Sequence, residues 1–130
     1  MADLRETILA APDLKSEIIT VDEWGCAIEV RELSGLGRQR FFSLVAPPEG
    51  GQIDLLRFHA AAVVLGAHEP SGGPIFRQGE GDIEQEIAEI CGKSASAIFA
   101  VGERVLDLSG IGERASARIE KNSGTDAGSE

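Results

Sequence analysis

His59, His68, Cys26 and Cys91 are the side chains of this chain that could ligate a transition metal or supply a nucleophile. Zinc sites are built from close pairs such as Cys-x-x-Cys or His-x-x-x-His, which fix two ligands on one turn or one helix face, and no such pair occurs here. The expectation is no metal centre and no cofactor. Cys91 falls at the inward register of an amphipathic segment, where a thiol acts as a small apolar side chain. The carboxylate pairs Asp22-Glu23, Glu84-Glu86 and Glu86-Glu89 would need desolvation or a like-charge pocket to divide acid and base roles, and their surroundings predict solvated faces instead. Gly50-Gly51 and Gly72-Gly73 lack the Gly-Lys-Ser/Thr ending of a phosphate loop and are expected to be turns. No nucleophile, base and orienting group can be assembled from these residues, so an enzyme is not expected.

With 130 residues, 42% hydrophobic and 26% charged, the chain suits one domain with a real core. A formal charge of −10 would repel a phosphate backbone and excludes nucleic acid as the expected partner. No run approaches the roughly 20 apolar residues of a membrane span, and the first residues, MADLRETILA, lack the basic start and long apolar run of a signal peptide. The two isolated cysteines then read as free thiols of a cytoplasmic protein. Five Phe, one Trp and no Tyr leave a core of Ile, Leu, Val and Ala, typical of a small helical domain.

The elements that must position these groups follow from periodicity. Leu4, Ile8 and Leu9 suggest a short helical lead closed by Pro12. Glu17 to Leu33 reads as a β-hairpin, with Ile28, Val30 and Glu32 on one face and Glu29, Arg31 and Leu33 on the other, and Asp22, Glu23 and Gly25 as turn chemistry. Ser34 is the expected N-cap of a helix over Gly35 to Val45, which Pro47-Pro48 ends. Ile53 to Ala67 is expected to be a central helix, its stripe made by Ile53, Leu56, Ala60, Val63, Val64 and Ala67. Turn formers fill His68 to Pro74, and Ile75-Phe76 would close a β-like turn. Asp82 with Gln85 resembles a capping box opening a helix over Asp82 to Cys91, with Gly92 as its left-handed cap. Ser94 or Ser96 then starts a helix over Ala95 to Leu108, its inner stripe carried by Ile98, Val101, Val105 and Leu108. The predicted class is α+β, mainly α: a hairpin packed on about four helices within residues 1–110, followed by a flexible tail over 111–130.

The hairpin also carries a resemblance. Glu23, Trp24 and Gly25 at its tip, Val30, Arg31, Glu32 and Leu33 at its end, then Ser34, Gly35 and Arg38, resemble the N-terminal pattern of the tail assembly chaperones of long-tailed bacteriophages and prophages. A looser likeness runs through Ile53 to Ala67, Glu69 to Phe76, Gly81 to Glu84 and Leu106 to Gly110. The sequence departs from the pattern at Gly37, where such proteins often have an acidic residue, and at Pro47-Pro48. The resemblance implies a non-catalytic, ATP-independent protein of the host cytoplasm. It would bind the long helical tape-measure protein, keep it soluble and promote tail-tube polymerisation around it. A frameshifted longer form would recruit the tail-tube protein.

Trp24, Phe41, Phe42, Ile75 and Phe76 are the candidate partner contacts. An indole at a hairpin tip either folds back over the core or projects as an anchor, and the unpaired edges of a two-stranded hairpin offer a second attachment, including to another copy of the chain. Two other readings stay open on composition alone. One is a terminator or connector retained in the virion, and the other is a small acidic secretion-type chaperone or adaptor.

Overall fold

The computed structural model describes residues 3–111, so the expected tail lies outside the described residues apart from Ile111. Asp3 caps the first helix, α1 (Leu4–Ala10), by accepting from the Glu6 N–H, and Ala11 turns extended ahead of Pro12 as the sequence requires. No residue of α1 is buried.

β-branched residues then make β1 (Ser16–Val21) and β2 (Cys26–Arg31), paired antiparallel from Ser16↔Arg31 to Val21↔Cys26. A single 3₁₀ turn, Asp22–Trp24, joins them, and Gly25 closes it at φ 64° with its N–H on the Asp22 carbonyl at 3.1 Å. That left-handed backbone is the reason a glycine follows the tryptophan. The inward face holds Ile19, Val21, Ile28 and Val30, which is the expected alternation. Leu33 was expected on the opposite face but is buried, because the strand ends at Arg31 and the chain turns inward, where the Leu33 N–H meets Ser109 Oγ at 2.9 Å. The hairpin is also not two-stranded. A short β3 (Ala67–His68) pairs with β2 through Val30↔Ala67 and Glu29↔His68, making a three-stranded sheet ordered β1-β2-β3.

Ser34 caps α2 (Gly35–Val45) as predicted, accepting from the Gly37 N–H at 3.0 Å. The central helix α3 (Leu55–Gly66) is shorter than Ile53 to Ala67. Asp54 caps it by accepting from Arg57, which leaves Ile53 outside and half exposed, and Ala67 belongs to β3. Ala60 to Val64 are fully buried on every side, as a helix apolar all round must be.

The expected capping box at Asp82 is absent. The next helix, α4 (Glu80–Ile90), begins two residues earlier from Gly79, so Asp82 sits in its first turn facing Arg77 and Gln85 reaches Glu89. Nor does Gly92 take a left-handed cap; α4 ends at Cys91 in right-handed backbone and continues in tight turns through Gly92 and Lys93. That cap occurs instead after α5 (Ala95–Leu108). Gly110 stands at φ 74°, with Ile111 N–H on the Leu106 carbonyl and Gly110 N–H on Asp107, a complete Schellman motif. Ser94, rather than Ser96, caps the start of α5.

The molecule is mainly helical with one antiparallel sheet, and its buried side chains from Val21 to Leu106 form one hydrophobic cluster. Burying each large aliphatic or aromatic side chain there is worth about 1.5–3 kcal/mol. α3 and α5 approach most closely. A Cβ on Gly66 would stand 2.5 Å from Val105 Cγ1, and one on Gly102 would stand 2.8 Å from the His59 carbonyl oxygen. Each helix thus offers the other a glycine.

Candidate partner-binding surface

The five sequence candidates do not form one patch. Trp24 folds back against the core, half-buried, with its indole nitrogen buried and without a hydrogen-bond partner among the described residues. Of the two alternatives at the hairpin tip, the geometry is that of a cover over the core. Phe41 is removed from the surface altogether: it is 0% exposed, its ring edge-on to Phe58 at 5.0 Å. Because α2 buries Phe41 and Val45, four residues apart, Phe42 is turned off that stripe and stays 43% exposed. The Arg38 guanidinium lies over its ring at 5.6 Å. Ile75 is partly exposed beside the sheet, its N–H on the Ala67 carbonyl, and Phe76 packs against the core. Gln78 fixes this segment by donating to both the Phe76 and Val64 carbonyls at 2.9 Å.

From Phe42 a chain of rings crosses the molecule. Phe42 meets Phe41 at 5.2 Å, Phe41 meets Phe58, Phe58 meets His59 at 5.7 Å, and His59 meets Phe99 on α5 at 4.5 Å. Tilted and edge-on pairs of this kind each add about 0.5–1.5 kcal/mol to their burial. The far end opens into a groove of about 410 Å³ between the first turns of α3 and the end of α5. Phe58, His59 and Phe99 floor it, Leu106 and Ile111 close it, and Leu55 stands at its rim. Leu55 is 63% exposed on this groove, and Ile53, two residues before it, is 51% exposed.

The polar framework keeps this surface in shape. His59 Nδ1 donates to the Leu55 carbonyl at 2.9 Å, which sets the ring's orientation. Arg57 donates from Nε to the Leu44 carbonyl at 2.8 Å and pairs with Glu84, tying α2, α3 and α4 together. Glu103 is the carboxylate lining the groove. Across the molecule, Arg104 grips Glu17 through two bonds of 2.9 and 2.7 Å, and these bonds hold the Glu17 carboxyl below the usual carboxylate range.

Glu86 corrects a second expectation. It does not lie on a solvated face but is nearly buried, accepting from the Arg77 backbone N–H at 3.0 Å and from the Arg77 guanidinium at 3.2 Å. Those contacts, the backbone one first, lower its pKa, so it is a fixed anion that pins the loop before α4. Glu29 does the same for the loop after β3. The Ser71 N–H at 2.8 Å is the main cause of its lowered pKa, with Arg31 beside it, and Ser71 takes φ 57° to reach it. The Cys91 thiol is pushed up, first by burial and then by Asp54, which makes it a poor nucleophile. Among the described residues no three His, Cys, Asp or Glu side chains gather in a group that could hold a metal ion, and no helix is long and apolar enough to cross a membrane.

Leu55 and Phe99 are not singled out by the sequence, and His59 is considered there only as a metal ligand. The signal was a surplus: α3 and α5 carry more apolar residues than one inner stripe can use, and Leu55, Phe58 and Phe99 are the excess. What the arrangement can do chemically is cover an apolar ridge of another chain. No family model matches this chain, and neither a curated protein nor a solved structure does.

Proposed function

We propose that this chain is a non-catalytic tail assembly chaperone of a long-tailed phage or prophage, holding an apolar stripe of the helical tape-measure protein on the surface formed by α2, α3 and α5. The observation that carries this reading is exposed Leu55 on a groove lined by Phe58, His59 and Phe99, with Ile53 exposed two residues before it and Phe42 exposed at the other end of the ring chain, on a chain whose net charge is −10. Contiguous apolar surface on a small acidic protein marks an interaction site, and a helix presenting residues at i, i+3, i+4 and i+7 is the partner such a groove suits. The acidic remainder would keep a complex with an otherwise aggregating client dispersed. The hairpin motif adds to this reading through its Trp-Gly tip and its Ser34 helix start. In this role the protein acts in the host cytoplasm, consumes no ATP and leaves before the particle is complete. A longer frameshifted form would bring in the tail-tube protein.

Co-expression with the tape-measure protein of the same phage or prophage tests the proposal. The soluble fraction of that client should rise and the two should co-purify, while purified particles should lack this chain. Recovery of the chain as a stoichiometric component of finished particles would replace the proposal with a retained terminator or connector.

A further inference from the structure

Among the described residues, α1 is the helix with no place in the core, and the structure also holds a groove of the kind that such a helix fills. α1 has Leu4 79%, Ile8 67% and Leu9 67% exposed, with Leu4 and Ile8 one turn apart on the same side. A helix of seven residues is marginal in water by itself, so a capped amphipathic segment with none of its residues buried lacks half of its own packing. On the body, a groove of about 290 Å³ lies between the start of α2 and the sheet, with Leu14, Leu36 and Leu65 as its apolar walls and Arg31, Glu32, Arg40 and His68 around it. Leu36 is 77% exposed. By helical position this groove lies on the opposite side of α2 from Arg38 and Phe42, away from the surface assigned to a client.

We infer that α1 is an exchange arm: its Leu4 and Ile8 dock into the Leu14–Leu36–Leu65 groove of a second copy of this chain, and that copy's arm returns the contact. Charge selects this occupant. Arg40 reaches the Gln78 carbonyl but pairs with no carboxylate among the described residues, and it lines a groove in a strongly acidic molecule. The arm over Asp3 to Ala10 carries Asp3 and Glu6 against Arg5, so an arm of net negative charge meets a groove in which Arg31 is already paired with Glu29 and Arg40 is left for a carboxylate from outside. The tether explains why the contact is made in trans. Leu14 already lines its own groove, Ala11 is held extended at φ −66°, ψ 129° by the proline after it, and α1 leaves the body with none of its residues buried. Reciprocal arm exchange closes about a twofold axis and ends at two copies.

Sedimentation velocity of the full chain across a concentration series tests this, with Leu4→Asp/Ile8→Asp as the arm variant and Leu36→Asp as the groove variant. Both change exposed side chains, and helical circular dichroism and urea midpoints check that the body stays folded. The wild type should be dimeric by about 100 μM, and each variant should dimerise at least about tenfold more weakly. An equimolar mixture of the two variants should dimerise more strongly than either variant alone, though less than the wild type, because the intact arm of one fits the intact groove of the other and restores one of the two contacts. A wild type that stays monomeric at that concentration overturns the inference, as does a dimer that both variants leave unchanged, or a mixture that dimerises no more strongly than either variant alone.

Discussion

Replacing Gly102 by alanine should destabilise the protein, whereas the same change at Gly81 should stabilise it. Gly102 lies in the interior of α5, where alanine is favoured over glycine by about 1 kcal/mol, and Gly81 lies in the first turn of α4, where the same preference is worth at most that much. They differ in what a methyl group would meet. At Gly81 there is nothing within 4 Å, so the helical gain is kept. At Gly102 the new Cβ would stand 2.8 Å from the His59 carbonyl oxygen, 3.0 Å from its Cβ and 3.1 Å from its Cα. Two of those three atoms are backbone, so relief requires α3 and α5 to part rather than a side chain to rotate. Overpacking of this kind costs about 1–3 kcal/mol, and contact with backbone places it at the upper end, so after the helical gain the net loss should be about 2 kcal/mol. For a domain of this size that is a Tm lower by about 8 °C, against a rise of at most about 4 °C for Gly81→Ala. Urea unfolding followed by circular dichroism and by Trp24 fluorescence would measure both. Gly102→Ala equal to or more stable than Gly81→Ala would show that α3 and α5 do not approach as described, and the His59–Phe99 contact at the groove would fall with them.

The neighbouring phenylalanines should separate as sharply: Phe41→Ala should cost about 3–5 kcal/mol of unfolding free energy, and Phe42→Ala under about 1, because only the first ring is enclosed. Equal losses would contradict the placement of α2. Acid should act through Glu86, Glu29 and Glu17, whose carboxyls are all lowered by their partners in the folded state. Their stabilisation is complete above the unfolded carboxylate pKa of about 4.3 and is lost as pH falls through the lower folded values. The stability gap between wild type and Glu86→Gln should therefore be constant from pH 7 to about 5 and shrink below about 4.5; a gap that widens on acidification would refute the sign. An aromatic disulfide reagent should modify exposed Cys26 at once and Cys91 only slowly, since Cys91 is partly covered and its thiol pKa is raised. Equal rates would place Cys91 at the surface.

Much of the fold was legible because local chemistry and tertiary placement agree. The alternation from Ile18 to Val30, the Ser34 cap and the apolar density of α3 each have a single consistent solution, and the chain adopts it. The misreadings occur where a distant partner decides. Asp82 and Gln85 match a capping pattern, but Arg77 draws Asp82 away and the helix starts at Glu80. Glu86 looks like one more carboxylate of a solvated face until the loop bearing Arg77 folds over it. β3 is too short to announce itself and exists because β2 offers it an edge. In the candidate surface, Phe42 was legible and Phe41 was not separable from it, since a helix turns 100° per residue and only the position of α3 decides which ring is enclosed. Leu55 and Phe99 could have been found by counting the apolar residues that no inner stripe accounts for.

The central claim is that the face around Leu55 covers an apolar helix of the tape-measure protein. It is tested most directly by measuring the soluble yield of that client when co-expressed with wild type, with Leu55→Asp/Phe42→Ser, and with Ile18→Asp as an exposed control on the outer face of the sheet. Wild type and the control should raise soluble client equally, and the double variant, folded to the same urea midpoint, should lose most of that gain. Client solubility that is unchanged by the wild type, or that the double variant rescues as well as the wild type does, would contradict the account.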